Sequence, residues 1–134
     1  MQTYAEREVF SPHEVDLWRQ ATALVSRLPA SIGGEPLRCH EVARAIGHVL
    51  QLDVQDGFYG WVEHSWLWTR KLDMEVVSIR HCLPNVLDVY APGELPPVQL
   101  AHMHIALPAA YRRDAPRTDI QEDVVKELLR CLAN

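Results

Sequence analysis

The chain of 134 residues is 48% apolar and 23% charged, the balance of an ordinary globular protein, which excludes disordered, collagen-like and disulfide-scaffold classes. Its 13 basic and 18 acidic side chains leave a net charge of -5, and the only basic doublets are Arg70-Lys71 and Arg112-Arg113, so the clustered cations that a nucleic-acid partner requires are missing. No apolar run approaches the roughly 18 residues of a membrane span and the opening MQTYAEREVF is too polar for a secretory leader; one cytoplasmic domain covering residues 1–134, with no membrane partner, is the expectation.

Taken in chain order, residues 12–28 carry apolar side chains at close to a 3.6-residue period, behind Ser11-Pro12 and Glu14, the pattern of a capping box with proline at the first helical position. Pro29 ends this helix, and Ala30 to Arg38, with Gly33-Gly34 and Pro36, reads as a loop. A second helix starts at Cys39 and runs to about Leu52, with Cys39, Val42, Ala43, Ile46, Val49 and Leu50 on one stripe. Short segments rich in aromatic and β-branched residues follow: Gly57–Gly60, Trp61–Thr69, Met74–His81, Val86–Tyr90 and Val98–Ile105. Spacers between them are too short for helical crossovers, so four or five mainly antiparallel strands are expected. Arg112 to Pro116 reads as a surface connection, and Thr118 as the cap of a third helix whose apolar face includes Ile120, Val124, Val125, Leu128 and Leu132. The fold class is α+β, with helices packed on the sheet.

Three positions could carry chemistry. Cys39 opens a helix directly after a Gly/Pro loop, where free backbone N–H groups and the helix dipole favour a thiolate. The competing reading is a small buried hydrophobe on the apolar stripe. His64 shares one strand face with Trp66 and Trp68, a rigid mounting for a general base, although a structural hydrogen-bonding role fits a lone strand histidine equally. Asp88 sits in the apolar run Val86-Leu87-Asp88-Val89-Tyr90, where a buried carboxylate demands a donor: the imidazole of His64, or an arginine such as Arg38 or Arg80.

The order of these residues, cysteine at a helix start, then His-Ser-Trp and Leu-Asp-Val-Tyr strands, resembles the papain-like cysteine superfamily, in particular its transglutaminase-like branch that includes arylamine N-acetyltransferases. The resemblance spans residues 38–90 and implies a papain/transglutaminase-like core with a catalytic triad of Cys39, His64 and Asp88. It implies cysteine-dependent acyl transfer, or hydrolysis of an amide, ester or thioester, on a small-molecule or peptide acyl substrate and with no cofactor. Arg70 to Pro84 is longer than the family's usual turn, which leaves Asp73 or Asn85 as alternatives to Asp88. No oxyanion glutamine precedes Cys39, so Tyr59 or Trp61 would have to supply the second donor, and His40 stands where the family carries tryptophan.

The rival from another class is a catalytically inactive member of the fold serving as a binding or assembly module. A third option places zinc on His102 and His104 with His40, His64 or Asp88. Cys82 lacks a helix start that would activate it, Cys131 reads as packed on the apolar face of the last helix, and no cysteine pair has the close spacing of a zinc or redox motif. Trp61, Trp66 and Trp68 fit either a core or the walls of a substrate slot.

Overall fold

Residues 11–69, 72–77, 103–104 and 109–133 are described by the structure, a computed structural model. The first helix, α1 (Pro12–Val25), begins as its sequence dictates: the Ser11 hydroxyl accepts from the Glu14 N–H, and the Glu14 carboxylate accepts from the Ser11 N–H. Past Val25 the chain continues in single turns to Leu28. The segment read as a loop then forms a small antiparallel hairpin, β1 (Ser31–Ile32) with β2 (Glu35–Pro36), because Gly33 and Gly34 both adopt positive φ across the turn.

Helix α2 (Cys39–Leu50) follows and stops where Gln51 turns left-handed at φ 58°. Behind it come β3 (Asp53–Tyr59), β4 (Val62–Trp68), β5 (Asp73–Met74), β6 (Met103–His104) and β7 (Tyr111–Arg113), then α3 (Glu122–Leu132). The strands build an antiparallel sheet in the order β6-β5-β4-β3-β7, so the α+β class and the antiparallel pairing stand. Tyr111–Arg113 is therefore an edge strand and not a surface connection; its ladder to Gly57–Tyr59 uses backbone groups that no apolar pattern advertises.

Helix α2 is the centre of the molecule, packed against α1, α3 and β4. Val42, Ala43, Ala45 and Ile46 are wholly buried together with Leu67 and Leu128, and each large aliphatic side chain so placed contributes roughly 1.5–3 kcal/mol. Gly47 permits the close approach of helix to sheet: a Cβ there would stand 2.9 Å from the Leu67 side chain and 3.0 Å from the Leu52 carbonyl oxygen. The stripe read from the sequence is too narrow, since His40 and Glu41 are buried as well while Val49 is exposed. Helix α3 begins three residues later than expected, at Glu122 behind Gln121, and Thr118 does not cap it. The Gln121 N–H instead donates to the Glu41 carboxylate of α2 at 3.1 Å, so a tertiary bond sets the start of α3. Among the described residues, no helix is long and apolar enough to cross a membrane.

Candidate active site

Cys39 occupies the first turn of α2, behind Arg38, whose side chain makes no capping bond and instead clasps Glu41 at 2.7 and 2.5 Å. The free end of the helix dipole thus falls on the thiol, in a setting 2% exposed to solvent.

His64 projects from the middle of β4, fully buried, opposite Gly57 of β3. Its Nε2 lies 3.1 Å from Oε1 of Glu75, just beyond β5, and Tyr111 on β7 donates its hydroxyl to the same carboxylate oxygen. A carboxylate only accepts, so Nε2 carries the hydrogen and Nδ1 is the basic nitrogen of the neutral ring. Burial pulls the imidazole pKa down. A hydrogen bond to Cys39 and the one to Glu75, with the charges of both partners, outweigh it and hold the ring at about 9 against an ordinary 6.5. Sulfur and carboxylate thus both engage one ring. Trp66 and Tyr111 wall the imidazole, with ring centroids 5.7 and 6.2 Å away.

A second buried polar chain reaches the sulfur through His40. His40 Nδ1 is 3.6 Å from Cys39 Sγ and 2.6 Å from Ser65 Oγ. The Ser65 hydroxyl donates to Asp56 at 2.5 Å, and Asp56 also accepts from Arg44 at 3.1 and 2.6 Å and from the Arg117 N–H at 2.9 Å. Burial alone would raise the Asp56 carboxyl; its bonds to Arg44, Ser65 and the Arg117 backbone hold it below the ordinary carboxylate value.

Of the three residues singled out from the sequence, Cys39 and His64 meet, and Asp88 lies outside the described residues. So do Asn85, Arg80, Cys82 and His102. Asp73, named as an alternative to Asp88, is engaged elsewhere, accepting from Trp66 Nε1 and from Arg113, both at 2.8 Å. Arg38 is committed to Glu41 and Asp119. Trp61 is 86% exposed beside Gly60 in the turn between β3 and β4, which removes it from any buried wall, whereas Trp66 is fully buried. Neither Cys39 nor Cys131 is joined in a disulfide. Among the described residues no group of three or more His, Cys, Asp or Glu side chains is arranged to hold a metal ion.

Sequence reasoning missed Glu75, Tyr111 and the His40 chain. Glu75 carried the signal used for Asp88, an acid inside an apolar run, here Met74-Glu75-Val76-Val77. Tyr111 carried none, because its role depends on β7 pairing with β3.

Comparison with protein families, with characterised proteins and with solved structures found no match to this chain. The functional reading of the site therefore rests on its own residues: a thiol at a helix start, an imidazole bonded to it, and a carboxylate behind the imidazole.

Proposed function

We propose that this protein is a transglutaminase-like cysteine acyltransferase or hydrolase acting on an amide, ester or thioester carbonyl, with Cys39 as nucleophile and His64 as general base and acid. The supporting observation is the placement of His64 between the Cys39 thiol and the Glu75 carboxylate. At the start of the first half-reaction Nδ1 of His64 already holds the proton of the Cys39 thiol, and Sγ bonds to the carbonyl carbon. The bond from that carbon to the leaving group breaks as His64 returns the proton to the departing amine, alcohol or thiol. Water or an amine then attacks the acyl-thioester, gives a proton to His64 and expels the Cys39 thiolate, which regenerates the site. Glu75, a role the sequence assigned to Asp88, fixes the ring and stabilises its charged form. Cys39 donates its backbone N–H from the helix start toward the developing oxyanion.

The burial of Cys39 in the same cluster as Val42, Ile46 and Leu67 favours a second reading, an inactive member of the fold acting as a binding or assembly module. One experiment separates the two. Incubated with an activated acyl ester and an acyl thioester, the wild-type protein should gain one acyl mass, mapped to the Cys39 peptide, and turn over. His64→Gln should slow acylation by about 10²–10⁴, and Cys39→Ser should abolish it. An unmodified Cys39 peptide under these conditions refutes the enzymatic reading and leaves the binding module.

A further inference from the structure

Four side chains join α2 to the sheet beside the reacting pair. His40 and Arg44 stand about one helical turn apart on α2, and Ser65 of β4 lies directly opposite Asp56 of β3 in the ladder. His40 meets Ser65 at 2.6 Å and Arg44 meets Asp56 at 3.1 and 2.6 Å; Ser65 donates to Asp56 at 2.5 Å and Arg44 to the His40 carbonyl oxygen at 2.9 Å. These links close into a circuit. Asp56 is an ionised carboxylate that only accepts, so the Ser65 hydrogen goes to it, and the hydrogen between Ser65 Oγ and His40 comes from Nδ1. That hydrogen is spent within the circuit, so the Cys39 sulfur, 3.6 Å from the same nitrogen, receives none from it.

Two grips one turn apart fix where α2 lies along the sheet and how it is rotated about its axis. Cys39 immediately precedes His40, and His64 immediately precedes Ser65, so the grip at His40 and Ser65 acts on the residues next to nucleophile and base. Successive side chains leave opposite sides of a strand, so Ser65 holds β4 without entering the face that His64 presents. Resting on the function proposed above, we infer that His40 and Ser65 are positioning residues of the same site: with Asp56 and Arg44 they clamp the first turn of α2 to β4 and keep the Cys39 sulfur within hydrogen-bonding reach of His64. Ser65 is fully buried, and Asp56 and His40 are nearly so, which leaves little water to replace a broken link. Among the described residues, the titratable groups that engage His64 are Cys39 from α2, Glu75 beyond β5 and Tyr111 of β7, through Glu75. The charges of the clamp, Asp56 and Arg44, pair with each other, as do Arg38 and Glu41 at the helix start.

The test is a mutant cycle read on the His64 midpoint, followed by NMR of the ring protons and assigned by the signals lost in His64→Gln. Cys39→Ala removes the sulfur and should lower the midpoint from about 9 by about one to two pH units, the worth of a hydrogen bond to a charged group. Ser65→Ala and His40→Phe keep the sulfur but release the helix start, and each should reproduce most of that fall. His40→Asn, whose amide nitrogen can donate to Ser65 in place of Nδ1, should keep the wild-type midpoint. In a Cys39→Ala background, Ser65→Ala should add nothing, an outcome that a merely weaker fold would not produce. Melting curves identify any variant that does not fold, and the milder Ser65→Ala then carries the comparison. A midpoint that Cys39→Ala lowers but folded Ser65→Ala leaves in place, or that Ser65→Ala lowers equally with and without the sulfur, overturns this inference and leaves the proposed function standing. A midpoint that Cys39→Ala does not lower overturns both.

Discussion

At the scale of single residues, the site turns on how one imidazole is poised. A ring held at about 9 is charged through the neutral range, so in the proposed reaction it enters already protonated. In the proposed reaction the protonated ring delivers a proton to the leaving group, and any such activity should therefore decline on the alkaline side near pH 9. Replacing Glu75 by Gln keeps an acceptor and removes the charge. The His64 midpoint, followed by NMR of the ring protons, should then fall from about 9 toward 6.5, and the alkaline limb of the rate profile should fall with it. If Asp88→Asn moves that midpoint and Glu75→Gln does not, the carboxylate read from the sequence holds the ring and the assignment of Glu75 fails. Cys39 and His64 were legible because each sat where local chemistry is visible in one dimension, a helix start and an alternating strand. Glu75 and Asp88 offered the same signal, an acid in an apolar run, and no local pattern chooses between them.

At the scale of elements, two positions show how local rules hold the site in place. The capping box of α1 depends on Ser11 and Glu14 alone, and Ser11→Ala should cost about 1 kcal/mol in denaturant unfolding with no effect on Cys39 chemistry. Gly57 is different. A Cβ at this position would stand 2.0 Å from the Arg112 carbonyl oxygen and 2.9 Å from the Trp66 ring, so Gly57→Ala must push β7 away from β3. The loss should be about 1–3 kcal/mol. Tyr111 on β7 would withdraw from Glu75 at the same time, so the His64 midpoint should move as well, a readout that a merely weaker sheet would not produce. The late start of α3 follows the same logic from the other side: residues 118–121 could have made a helical turn, but Asp119 is taken by Arg38 and Arg117, and the Gln121 N–H by Glu41.

For the whole molecule, pH acts on stability through two buried groups of opposite sign. The folded pKa of Asp56 lies below its ordinary 3.8, so its contribution is complete above 3.8 and lost as pH falls through the lower folded value. The folded pKa of His64 lies above 6.5, so its contribution is complete below 6.5 and lost as pH rises through about 9. Unfolding free energy should therefore be greatest between 3.8 and 6.5. Asp56→Asn should flatten the acid side of that profile and His64→Gln the alkaline side, as denaturant titrations across a pH series would show. A profile unchanged by His64→Gln would mean that the ring titrates alike in the folded and unfolded chain.

The sequence by itself determined the α+β class, the capped first helix, the helix opening at Cys39, and the alternation that turns His64 and Trp66 to one face. All of these follow from interactions within a few residues, where side-chain period and backbone capping suffice. Tertiary structure alone decided that Tyr111–Arg113 closes the sheet edge, that α3 waits for Gln121 to meet Glu41, and that His40, Ser65, Asp56 and Arg44 form one chain. Buried polar groups must find partners, and those partners are chosen by proximity in the packed molecule, across as many as 80 positions of sequence, where no periodicity reaches.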